Sequence, residues 1–282
     1  MTPSAPRAPP KLHAVPDTDR DPATGNVGHQ LWTGATAMLA GPRLALQHRD
    51  IALGCAAAAA MYVLIWCAVL FAASRYDQAF VLWLAPHDGP AWYEHALAVA
   101  VKGSLYGLFW LAVVVAAAPV ALPLCAPVLA VLAGRVEQRV ANTPPPTMGW
   151  RLQAIEALRG AVRGLMVGAV LLAGNAIIWT LCSVLGLLFA PLGVVASAVL
   201  APAWNALGLA ALATSFALEN RRCRLADQLA LLQRRRAVLL GFGLAAQLVA
   251  WMPLLMPLVV VAGSALVVRL HRHGHVRYPD DK

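Results

Sequence analysis

Residues 165–218, 54 in all, contain no Asp, Glu, Lys or Arg. About 18 consecutive apolar residues already suffice to propose a membrane crossing, and a soluble core does not hide an uncharged run of this length. The rest of the chain agrees with this reading. Of its 282 residues 60% are hydrophobic and 12% charged, with a mean hydropathy of +0.66, whereas soluble domains carry about 25% charged residues. The sequence therefore predicts an all-α integral membrane protein. Its opening thirty residues are polar and Pro-rich, without the apolar core of about 7–15 residues of a cleavable signal, so none is expected.

Three domains of unequal weight are predicted. Residues 1–28 are rich in proline and poor in aromatic and β-branched side chains, so they are read as a disordered tail that buries too little surface to offset ordering. Residues 29–272 form the membrane domain, and residues 273–282 a short polar tail. From Gln30 to Gln47, apolar and polar residues alternate as in a short interfacial helix. Ile51–Ala73 gives 23 uncharged residues, about 34 Å of helix against a hydrocarbon core of about 30 Å. A loop follows with Trp83, Trp92 and Tyr93 as candidate headgroup anchors. The second long run, Ala96–Ala133, is interrupted only by Lys102; Pro119, Pro123 and Pro127 should kink or end its helix. Beyond it, NTPPPT marks a turn inside a basic connector.

Charge sets the topology. Lys and Arg number five before Ile51, one in 74–95, five in 134–164, six in 219–236 and four from Arg269 onward. The positive-inside rule puts the four basic segments in the cytoplasm, both termini included, and leaves only the loop of Tyr76 and His87 outside. Each of the last two apolar runs must then leave and return on one side. The run 237–268 has 32 residues with Pro253 and Pro257 near its middle. Folded back on itself it offers arms of about 20 Å, short of the roughly 30 Å core. Its tip, MPLLMP, has no aqueous-turn residue, so a re-entrant hairpin is predicted. The competing form is one tilted, Pro-kinked helix, which would put four Lys and Arg outside. The run 165–218 repeats the design around Pro191 and Gly193; its arms of about 25 residues are long enough for two full crossings or a deeper re-entrant pair.

Several function classes drop out. The +9 formal charge sits at the edges of apolar runs, where membrane topology and anionic lipid account for it, so no nucleic-acid partner is expected. Five scattered cysteines form no C-x-x-C pair, and His271, His273 and His275 have no carboxylate or thiol beside them, so neither metal nor cofactor is predicted. No P-loop, H-E-x-x-H or G-x-S-x-G occurs, which leaves ATP-driven transport and hydrolysis without machinery. Asn175, Thr180, Ser183, Ser197, Asn205, Thr214 and Ser215 either line a path or bond a neighbouring helix. Gly160, Gly164 and Gly168 read as a packing seam.

Three segments resemble one family. CAPVLAVLAGRVEQRV with TPPPT is similar to its Ala-Pro and Glu pattern after the second span, placing Ala126, Pro127 and Glu137 in the motif. RRRAVLLGFGLAAQLVAWMPLLMPLVVVAGSALVV resembles its basic, Phe-Gly and Pro-tip hairpin, with Phe242 and Gly243, and FAPLGVVASAVLAPAW its other tip. The family is that of CysZ sulfate permeases and the related etoposide-induced-protein domain. The resemblance implies two long transmembrane helices plus two partly penetrating hairpins, homo-oligomeric assembly and an inner-membrane permease for a small inorganic anion, sulfate first. A non-transporting scaffold or lipid-interacting protein of the same fold is the alternative. The family's Gly-apolar-Arg element ahead of the first long helix has two counterparts here: GPRL, with Gly41 and Arg43, and QHRD, where Arg49 is followed by Asp50. Guanidinium forks beside a helix start hold dianions well, which makes Gly41, Arg43 and Arg49 candidate anion contacts. Arg234, Arg235 and Arg236 join them, because cations at a helix N-terminus oppose its dipole and call for an anionic partner.

Overall fold

The computed structural model describes residues 21–84, 92–141, 150–250, 252–276 and 278. The first twenty residues of the predicted tail, the NTPPPT turn, His87 and Lys282 lie outside the described residues. Among the described residues ten helices follow one another: α1 (Val27–Ala37), α2 (Ala40–Gln47), α3 (Arg49–Ser74), α4 (Asp77–Leu84), α5 (Trp92–Ala141), α6 (Trp150–Leu188), α7 (Ala190–Asn220), α8 (Leu225–Arg234), α9 (Arg236–Ala250) and α10 (Met256–Arg272). A 3-10 turn, Pro253–Leu255, separates the last two. Among the described residues there is no strand.

By length and composition α3, the part of α6 from Gly164 to Leu188, and α7 can each cross a membrane. Their 26, 25 and 31 residues correspond to about 39, 37 and 46 Å of helix. The run 165–218 is thus two helices of full crossing length, joined at Phe189 with Pro191 in the first turn of α7. Both arms are long enough for full crossings, as their residue count allowed. Gly193 makes the tight tip possible: a Cβ there would lie 2.6 Å from the carbonyl oxygen of Cys182 and from the Gly186 backbone. Further along the seam, Gly174 receives the Trp204 indole and Gly208 receives Leu171.

The last run closes on itself. Arg235, at the base of α9, donates to His275 Nδ1 beyond α10 at 2.7 Å, so the chain leaves and returns at one end. The single kinked helix is thereby set aside. The arms have 15 and 17 residues, about 22 and 26 Å. Pro257 sits in the first turn of α10, where its missing N–H costs nothing. Tip backbone donors are met locally, Met252 N–H by Val249 and Leu255 N–H by Met252. Arm α10 is the centre of the molecule, with Val259–Val268 buried throughout, as expected of a helix that is apolar on every side.

Around α10 the other helices pack by backbone approach at glycine. Gly243 of α9 meets Ala206 of α7, Gly263 of α10 meets Ala213, and Gly41 of α2 meets Leu258. Leu44, Ile51, Cys55, Leu132, Val136, Val261 and Ala265 form a second apolar cluster joining α2, α3, α5 and α10.

Three local expectations change. The segment Gln30–Gln47 is two helices rather than one interfacial helix, and α1 is docked on α9 with Gly34 against Val238 and Gly241 against Leu31. Helix α5 does not end at Pro119, Pro123 or Pro127 but runs 50 residues. Prolines spaced by four share one face, so the unpaired carbonyls fall on one side while the other ladder rows continue. Part of the predicted loop after α3 is α4, whose buried Asp77 accepts from Tyr106 Oη at 3.0 Å; Trp83 is exposed. Residues 21–26 carry a turn ahead of α1, with Asn26 capping it through His29 N–H.

Candidate functional site

The basic connectors converge at one end of the bundle. Asp50, in the first turn of α3, accepts from Arg139 Nε at 3.2 Å, and its carbonyl accepts from Arg135 at 3.1 Å. On the far side of α5, Glu137 is 1% exposed and accepts from Arg221 Nε at 2.9 Å. The Arg221 guanidinium lies 5.2 Å over the Tyr278 ring, which stacks on His271. Asn220 donates to the Ala130 carbonyl at 2.9 Å, and Arg272 donates to that of Val140.

The third group ties the hairpin to the N-terminal segment. His275 Nε2 is 2.6 Å from Asp21 Oδ1 while Arg235 contacts Nδ1. An arginine only donates, so Nδ1 accepts from it and Nε2 donates to the Asp21 carboxylate. Burial alone would raise the Asp21 carboxyl; the Ala23 N–H and His275 outweigh it and hold it below the usual carboxylate value.

The candidate anion contacts sit on separate elements, α2, α3 and the α8–α9 junction. Arg49 opens α3 behind the extended His48 and is exposed. Arg43 is exposed on α2, whereas Gly41 is buried because it seats α2 on α10. Arg234 and Arg236 are exposed, while Arg235 donates to His275. Of the motif residues, Ala126 and Phe242 are buried, Glu137 is ion-paired, Gly243 seats α9 on α7, and Pro127 is exposed.

Polar groups inside the apolar runs mostly bond their own or a neighbouring helix. Asn175 donates to Asn205 at 2.7 Å and to the Leu171 carbonyl, which Trp204 also uses. Thr180, Ser197, Thr214 and Ser215 each donate to a carbonyl one turn back. The Asp21–His275 contact was not legible in sequence, since residues 254 positions apart meet only in the fold.

The family model described as "Sulfate transporter CysZ/Etoposide-induced protein 2.4" matches residues 37–260. The chain belongs to that family. No individual curated relative matches it. The matched region of this CysZ-family chain runs from the end of α1 into α10; it includes the glycine contacts at Gly41, Gly193, Gly208 and Gly243, while Gly34 and Gly263 lie outside it. A multi-pass membrane protein of a transporter family follows from the match and the apolar helices together.

Proposed function

We propose that this protein is a channel-like permease for a small inorganic anion, sulfate first, working without nucleotide hydrolysis. The observation that carries the reading is the family match over residues 37–260. Support comes from arginines at helix starts on one end, Arg49 at α3 and Arg236 at α9, where backbone donors and dipole favour anions. In this reading Arg43, Arg49, Arg234 and Arg236 attract the anion, and Gly41 and Arg235 position the elements that carry them. The basic end faces the cytoplasm of the inner membrane with both termini, α9 and α10 penetrate from that side only, and identical copies assemble to cover the exposed apolar faces.

Labelled sulfate entering proteoliposomes down its gradient is the test. Arg43→Ala and Arg49→Ala are expected to cut the initial rate several-fold; absence of flux at every gradient and pH ends the proposal. The second reading, a non-transporting scaffold, is favoured by the bonded state of the intramembrane Asn, Ser and Thr groups, and lack of flux in a folded sample would select it.

A further inference from the structure

A cavity of about 60 Å³ lies between α6, α7 and α8. Its walls are apolar, from Gly164, Val167, Leu212, Leu225, Leu229 and Leu232, and its polar lining is Thr214, Ser215, Glu219 and Gln228. Gln228 is 9% exposed, and its Nε2 has no hydrogen-bond partner. A buried amide donor left unmet is costly, so such a group ordinarily marks a missing ligand or water. The Thr214 and Ser215 hydroxyls already donate to their own helix, so they offer only acceptor oxygens.

Depth and charge identify the ligand. The cavity sits where the uncharged run begins at Gly164 and ends before Glu219, the level at which hydrocarbon gives way to headgroups. Leu225 and Leu229 project beside it as exposed neighbours on α8, an apolar face that acyl chains would cover. Between Glu219 and Arg236 there are six arginines against two acids, Glu219 and Asp227. With Arg221 held by Glu137 and Arg235 by His275, Arg222, Arg224, Arg234 and Arg236 remain exposed. Arg222 also stands at φ +56°, in the turn after α7 where Cys223 N–H reaches the Leu218 carbonyl. Glycine fits that left-handed position without strain, yet an arginine occupies it.

We propose that this cavity and the arginines flanking α8 bind one anionic phospholipid. An ester carbonyl of its glycerol backbone accepts from Gln228 Nε2. The acyl chains lie over Leu225 and Leu229, and the phosphate pairs with Arg222 and Arg224 outside the cavity, away from the Glu219 carboxylate. The cavity has room for an ester group or a few waters, so the headgroup stays at the surface. This inference does not depend on transport.

Native mass spectrometry of the purified, detergent-solubilised protein tests it with dioleoyl phosphatidylglycerol against dioleoyl phosphatidylcholine. The wild type should retain one phosphatidylglycerol that phosphatidylcholine does not replace. Gln228→Leu should weaken that retention about ten-fold. Arg222→Gly removes charge while relieving the backbone, so it should keep or raise the thermal midpoint and still lose phosphatidylglycerol several-fold. Equal retention of both lipids, unchanged retention in both variants, or displacement of the lipid by millimolar sulfate overturns the proposal. Retention of neither lipid, which leaves water as the partner of Gln228, overturns it too.

Discussion

The Glu137–Arg221 pair concentrates the cost of charge in one place. Its side chains are 1% and 11% exposed, and a buried pair is worth little beyond its desolvation while a broken one leaves a bare charge. Arg221→Ala should therefore destabilise the protein by about 3–5 kcal/mol, read as a drop in thermal midpoint in detergent. Adding Glu137→Gln should recover a large part of the loss. A second residue-scale effect concerns acid. Asp21 is held below its ordinary value of 3.8, so its stabilisation is full above that value and fades as pH falls through the folded one. Wild type and Asp21→Asn should thus differ in thermal midpoint near neutrality and converge as pH falls well below 3.8.

At the scale of elements, glycine rather than side-chain volume decides which helices touch. A Cβ on Gly243 would lie 1.9 Å from the Ala206 carbonyl oxygen, and one on Gly34 1.9 Å from that of Val238. Backbone cannot yield as a flexible side chain does, so Gly243→Ala is expected to cost about 1–3 kcal/mol or more by prising α9 from α7. Gly107→Ala, where a Cβ meets nothing within 4 Å, is the matched control and should leave the thermal midpoint unchanged or slightly raised. The helices themselves were visible in the sequence as uncharged runs, and Pro253 with Pro257 announced the break between α9 and α10. The length of α5 was not visible, because three prolines argue against continuation locally and the packing of α3, α6 and α10 on that helix overrides them.

For the whole molecule, short arms become stable by being enclosed. Helix α10 is wrapped by α2, α5, α7 and α9, so its apolar surface is covered by protein. Exposed apolar side chains lie instead on α3 (Leu64, Phe71), α5 (Leu97, Leu108), α6 with the tip around Leu187, Leu188 and Phe189, and α7 (Val195, Val199), and at the end of α9 with its tip (Leu248, Met252), where lipid or another copy would lie. If the basic end is cytoplasmic, a cysteine reporter at His87 should label from outside the cell and one at Lys282 should label only after permeabilisation. The reverse pattern at Lys282 would remove the proposed topology.

Composition and charge spacing alone determined that this chain is a helical membrane protein, where its apolar runs begin and end, and which connectors are basic. Those properties depend on the solvent each residue prefers, and that preference is written position by position. The tertiary structure decided what the arginines do: Arg221 and Arg235 serve ion pairing and hairpin closure, while Arg43, Arg49, Arg234 and Arg236 stay exposed. It likewise decided that Gly41 is a packing contact and that Gln228 faces a cavity. Identical side chains acquire different roles from neighbours tens to hundreds of residues away, and local sequence carries no record of those distances.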